Sequence, residues 1–202
     1  MKEVFKHQVY TTVPIQECLN ATGRQPVGTR WVDVNKGDDL NPEYRSRLVA
    51  QELKKNSWAD DLFAATPPLE AKKVLFSLAV TEGIGFKKGL KGKGLKIEFI
   101  DVRRAYFHAK ARRDVYIELP NEDTSEGMCG KLIKSLYGTR DAALNWAQAY
   151  SEVLEKMGFT KGRSSPCSFY HAGWGIRTVV HGDDFLSEGP GENLKAMDTE
   201  MK

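Results

Sequence analysis

A strand that stops on two aspartates and then starts again constrains this chain more than any other stretch. Ile176-Arg177-Thr178-Val179-Val180 reads as a β-strand, runs into His181-Gly182-Asp183-Asp184, and resumes as Phe185-Leu186-Ser187. Two apolar runs around Gly and Asp predict an antiparallel hairpin with the acidic pair at its tip. Successive side chains on a strand point to opposite faces, so only a turn lets both aspartates approach one point. Asp183 is then the better-placed ligand of a shared ion, and Asp184 the more peripheral. A separate strand, Lys96-Ile97-Glu98-Phe99-Ile100, ends on Asp101. Hard cations such as Mg²⁺ bind through one or two carboxylates plus substrate phosphates. A pair of such ions activates an attacking oxygen and neutralises a leaving one. The three aspartates are therefore candidates for a phosphoryl-transfer site. Each also has an ordinary reading: turns favour Gly and Asp, and an Asp after a strand often caps a helix.

With 202 residues the chain can bury one substantial core, or form two small lobes with a cleft. No stretch approaches the length of a membrane span, so no membrane partner is expected. Met1 to His7 lacks the apolar core of a signal peptide. Cys18, Cys129 and Cys167 are isolated and lack metal-ligand spacing, which fits a reducing interior. The net charge of +3 says little, but its distribution says more. Lys87, Lys88, Lys91, Lys93, Lys96, Arg103, Arg104, Lys110, Arg112 and Arg113 crowd one segment against only Glu98 and Asp101. Such a run is either a solvated face or a track for a phosphate backbone. That it brackets Asp101 favours the track.

The remaining pattern alternates strands and helices. Residues 2–10 read as a short helix or entry strand, and Thr22 to Gly28 as a turn-rich connection. Gly28 to Val34 and Tyr44 to Ala50 flank Lys36-Gly37-Asp38-Asp39-Leu40-Asn41-Pro42, predicting an exposed two-stranded ribbon over 28–52 that carries Arg45 and Arg47. Past Thr66-Pro67-Pro68, residues Val74, Leu75, Leu78 and Ala79 share a helical face that Gly83 and Gly85 end. Lys87 to Gly94 reads as a mobile loop, Val115 to Leu119 as a strand stopped by Pro120, Asn121 to Gly130 as a polar loop, and Lys131 to Leu136 as a short strand. Leu144, Ala147, Ser151, Leu154 and Met157 form a helical stripe stopped by Gly158. Cys167 to Tyr170 and Ile176 to Val180 flank a hairpin turn, and Asn193 begins a last helix. This order fits a split α+β sheet with helices on one face.

Seven segments in register resemble the reverse transcriptase domain of copia-type long-terminal-repeat retrotransposons. Gly28-Thr29-Arg30-Trp31-Val32 resembles the family's G-C-K-W-V, and Tyr44-Arg45-Ser46-Arg47-Leu48-Val49-Ala50-Gln51 its Y-K-A-R-L-V-A ribbon. Asp101-Val102-Arg103-Arg104-Ala105-Tyr106-Phe107-His108 resembles D-V-x-x-A-F-L-H, and Val115 to Pro120 resembles V-Y-M-E-Q-P. Lys134-Ser135-Leu136-Tyr137-Gly138 through Trp146 resembles K-x-L-Y-G-L-K-Q-A-P-R-A-W. Gly158-Phe159-Thr160 with Ser165 to Tyr170 resembles G-F-x-x-S-x-x-D-P-C-L-F, and Val180 to Asp184 stands at Y-V-D-D. The chain departs from the pattern at His181-Gly182, where Gly loosens the turn. It also departs at Asp141-Ala142-Ala143-Leu144-Asn145, at Asp33-Val34, and at the insertion-like Lys87 to Gly94.

The resemblance implies an α+β right-hand polymerase: fingers-like residues 1–95 with an N-terminal segment, and a palm-like region over 96–202 with a ferredoxin-like antiparallel sheet. The thumb is expected to be absent. It implies nucleotidyl transfer from a dNTP to a primer 3′-hydroxyl, with an RNA template and a DNA primer as partners. Asp101, Asp183 and Asp184 with the Val102 carbonyl would hold two Mg²⁺ ions, or Mn²⁺ in their place. Arg45, Arg47, Tyr106, Tyr137 and Gly138 would bind the nucleotide, with Tyr106 gating against a 2′-hydroxyl. His181, Gly182 and Arg140 would meet primer and template. The resemblance also implies a cytoplasmic setting within retrotransposon particles. Without it, Tyr106 reads as a core aromatic and the two arginines as ribbon salt bridges, while Trp31 and Trp146 read as core with or without it. Two other readings stand beside it: a degenerate transposon remnant that at most binds nucleic acid, and an unrelated Mg²⁺-dependent phosphohydrolase.

Overall fold

The structure, a computed structural model, describes residues 1–53, 62, 64–89 and 94–201. Lys91, Lys93 and the middle of the predicted Gly/Lys loop lie outside the described residues. The elements in order are α1 (Lys2–Lys6), β1 (Tyr10–Pro14), α2 (Ile15–Thr22), β2 (Thr29–Asn35), β3 (Tyr44–Ala50), α3 (Leu69–Val80), β4 (Leu95–Asp101), α4 (Ala105–His108) and β5 (Tyr116–Ile117). A 3₁₀ turn at Asn121–Asp123 follows, then β6 (Met128–Leu132), α5 (Ala142–Lys156), β7 (Thr160–Lys161), β8 (Ser168–His171), β9 (Ile176–His181), β10 (Asp184–Pro190) and α6 (Gly191–Glu200). The protein is thus mixed α+β with antiparallel sheets. Among the described residues no helix is long and apolar enough to cross a membrane.

The chain divides into two compact units, each assembled from two stretches of sequence. One comprises Met1–Phe63 with Ala105–Trp146. It holds a three-stranded sheet ordered β1-β6-β5 and the β2–β3 ribbon. Val9, Leu48, Ala50, Phe107, Ile117 and Leu136 form its core. The ribbon is accordingly less exposed than the sequence predicts at one end: Leu48 and Ala50 are buried, whereas Tyr44, Arg45, Ser46 and Arg47 are exposed. Its loop is shaped by side chains, since Asn35 Oδ1 accepts the Gly37 and Glu43 N–H groups and Asp38 Oδ1 those of Leu40 and Asn41. Helix α2 carries no strong sequence signal; it starts at Pro14 and stops at Gly23, whose φ of 65° is the left-handed cap. Strand β6 begins earlier than predicted: Gly130, read as part of a loop, lies within it, where a Cβ would stand a tight 3.0 Å from the Tyr10 ring and 3.1 Å from Ile117 Cγ1. Strand β5 is shorter than predicted: past Ile117 the chain turns its hydrogen bonds to Val27, whose carbonyl accepts the Glu118 N–H.

The other unit comprises Ala64–Arg104 with Ala147–Lys202, around a five-stranded sheet ordered β4-β10-β9-β8-β7. The register sets Asp101, Phe99 and Ile97 opposite Asp184, Leu186 and Glu188, which in turn face His181, Val179 and Arg177. These residues share one face, and α3 packs there through Leu75 against Val179 and Leu186. The other face carries Phe185, Ser187, Thr178 and Phe169. There Tyr150 of α5 stacks edge-on against Phe169 and Phe185, and Ser187 contacts Met197 of α6. The expectation of helices on one face is corrected. Strands β9 and β10 bury side chains of both parities, so both faces need cover. On α3 the predicted apolar face is narrower than read: Leu75 is buried and Val74 is exposed. The helix also ends at Val80, before either glycine.

Candidate functional site

Strand pairing brings the three aspartates together. Asp101, the last residue of β4, stands directly opposite Asp184, the first residue of β10. Asp184 is also paired with His181, the last residue of β9, so Gly182-Asp183 is a two-residue hairpin turn. Gly182 takes φ 65°, and Asp183 is not among the residues of positive φ. Positive φ at the first central position alone belongs to the II′ turn, whose twist matches the flanking strands. Past the strand end, the Val102 N–H donates to the Asp183 carbonyl at 3.0 Å, extending the β4–β10 contact into the turn. Carboxylate oxygens of Asp101, Asp183 and Asp184 consequently lie within 4.8 Å of one another, all exposed. Asp184, read as peripheral, lies within this same cluster. Magnesium–oxygen bonds are about 2.1 Å, so oxygens across one ion stand about 4.2 Å apart. An all-oxygen donor set at this spacing fits a hard divalent cation.

Beside the cluster lies a residue that sequence reasoning missed. Lys72 on α3 approaches His181 Nδ1 at 2.7 Å. The only signal in the sequence is a lysine on a helix, which does not disclose the strand end that the helix crosses.

The expected nucleotide-binding residues belong to the first unit. Tyr106 and Tyr137 have ring centroids 4.7 Å apart, and the Arg47 guanidinium lies 5.9 Å from the Tyr137 centroid. Arg45 is held by Glu43 at 3.0 Å, the ribbon salt bridge anticipated for it. Tyr137-Gly138 is tied to the end of β3: the Ala50 N–H donates to the Tyr137 carbonyl at 2.7 Å, and Gly138 has φ 83°. A Cβ on Gly138 would sit 1.9 Å from the Ala50 carbonyl oxygen, so glycine is required here by strand β3.

A charged network fixes the segment that follows. Arg113 donates to Glu52 (Nη1 to Oε1, 2.8 Å) and to Asp141 Oδ1 at 2.8 Å. Glu52 also accepts the Arg140 N–H at 2.9 Å. Asn145 Nδ2 donates to Asp141 Oδ2 and to the Ser135 hydroxyl. Burial alone would raise the Asp141 carboxyl, but the Arg113 hydrogen bond and charge, with Asn145, outweigh it and hold Asp141 below the usual carboxylate range. Arg113 is thereby withdrawn from the basic run read as a phosphate track. Within the departure at 141–145, Asp141 is thus a structural partner of Arg113 and Asn145 of Ser135. Trp146 is buried, as expected, and Trp31 packs on the core while donating to Glu122.

Residues 10–201 match the family described as reverse transcriptase (RNA-dependent DNA polymerase). The chain is 27% identical over 206 aligned positions to the retrovirus-related Pol polyprotein from transposon TNT 1-94 of Nicotiana tabacum, covering 97% of this chain and 14% of that protein. It is 26% identical over 171 positions to the corresponding polyprotein from transposon RE1 of Arabidopsis thaliana, covering 81% of this chain and 11% of that protein. The chain therefore spans under a sixth of the length of either relative.

Proposed function

Because the chain belongs to the reverse transcriptase (RNA-dependent DNA polymerase) family, with relatives among copia-type Pol polyproteins, we propose that it carries out metal-dependent nucleotidyl transfer. A primer 3′-oxygen forms a bond to the α-phosphorus of a dNTP, the bond to the β-phosphate bridging oxygen breaks, and pyrophosphate leaves. The observation that carries this reading is the meeting of Asp101, Asp183 and Asp184 within 4.8 Å. With the Val102 carbonyl they would hold two Mg²⁺ ions, or Mn²⁺. Such ions, when bound, favour ionisation of the attacking hydroxyl and offset charge on the leaving group.

The protein's own part is positioning, which can supply much of the barrier reduction in phosphoryl transfer. Arg45 and Arg47 offer guanidinium forks suited to triphosphate oxygens. Arg45 would leave Glu43 to do so, at small cost, since exposed ion pairs are worth about 0–1 kcal/mol. Tyr106, backed by Tyr137, would exclude a 2′-hydroxyl and select dNTP over NTP. Tyr137-Gly138 would present backbone to the nucleotide, and Arg140, His181 and Gly182 would meet primer and RNA template.

The test is extension of a DNA primer on an RNA template with Mg²⁺ or Mn²⁺, comparing wild type with Asp183→Asn. Wild type should extend, and the variant should lose about 10²-fold or more, the scale seen when one electrostatic stabiliser of a transition state is removed. Equal background from both proteins would overturn the reading.

A further inference from the structure

We propose that Lys72, held by His181, is a binding residue for a phosphodiester at the primer's 3′ end; this rests on the polymerase reading above. A lysine ammonium only donates, so the 2.7 Å contact makes His181 Nδ1 the acceptor and puts the imidazole hydrogen on Nε2. The contact uses one of the three ammonium hydrogens. Lys72 therefore keeps donors for a ligand oxygen, and the Nε2–H of the exposed His181 adds another.

The place of this pair is fixed by the same register that builds the acidic site. His181 stands opposite Asp184, and Asp184 opposite Asp101, so the Lys72 charge held at His181 lies one strand from Asp184 and two from Asp101. Helix α3, which carries Lys72, is seated on that sheet face by Leu75 against Val179 and Leu186. An anionic strand whose terminal oxygen reaches the carboxylates must bring its last phosphates close to the same hairpin. A cation and an imidazole N–H beside that path suit a phosphate, and being backbone-directed they are indifferent to base sequence.

Fluorescently labelled RNA–DNA primer–template should bind Lys72→Gln several-fold more weakly than wild type. The slope of log affinity against log salt should fall by about one. Lys72→Arg should restore the slope, and the dNTP KM in extension should stay unchanged. Thermal melting of each variant checks that the fold is kept; if Lys72→Gln melts early, Lys72→Met is measured in its place. Wild-type affinity and slope in a folded neutral variant would overturn this inference while leaving the polymerase reading intact. A wild-type chain that neither binds nor extends primer–template would overturn that reading, and this one with it.

Discussion

Gly182 shows how one residue decides the shape of the acidic tip. At φ 65° it stands where an L side chain is strained, although a methyl group at that position would meet nothing within 4 Å. Strain alone should therefore set the cost of Gly182→Ala, about 1–2 kcal/mol. A domain of this size should then melt about 2–8 °C lower. An unchanged melting temperature would mean that the turn relaxes into another type. In the sequence, Gly182 reads as a departure that loosens the turn; in the fold it supplies the positive φ of a tight one. Gly138 carries a similar lesson, since the neighbour that forbids its Cβ is Ala50, far away in sequence and invisible to local pattern.

Where elements meet, charge fixes contacts that periodicity cannot announce. Arg113 ties together Glu52, beyond β3, and Asp141, at the start of α5. Because the folded Asp141 carboxyl is held below its ordinary value, its contribution is present above the unfolded pKa near 3.9 and is lost as pH falls through the lower folded value. Asp141→Asn should cost about 1–2 kcal/mol near neutrality, a charge-assisted hydrogen bond discounted for the partly exposed Arg113. The stability gap between wild type and variant should narrow below about pH 4 in chemical denaturation. A gap that stays constant down to pH 2 would contradict this role. The strong periodic elements were legible: β2, β3, β4, β9, β10, α3 and α5 all fall where alternation or helical spacing puts them, within a few residues. Helix α2 and strand β6 were not, because α2 is short and Gly130 in a strand mimics a turn. The cover of both sheet faces follows from Val179-Val180 and Phe185-Leu186, adjacent apolar pairs whose double burial an alternating reading passes over.

Taken as a whole, the molecule collects its acidic cluster in one unit and its Arg47–Tyr106–Tyr137 cluster in the other, each built from two separated stretches of chain. The grouping of residues 105–146 with the N-terminal segment rests on contacts such as β1 with β6, which no local composition foretells. The aspartates themselves were legible as strand ends; their convergence needed the β4–β10 register, which only the fold supplies. Direct measurement of Mn²⁺ binding, by the paramagnetic signal of the ion in the presence of dNTP, bears on that convergence. On the proposed reading the two carboxylates share the same ions, so Asp101→Asn should weaken Mn²⁺ about tenfold or more, as Asp183→Asn should. Loss in Asp183→Asn with undiminished binding in Asp101→Asn would show that the residue on β4 takes no share in the site.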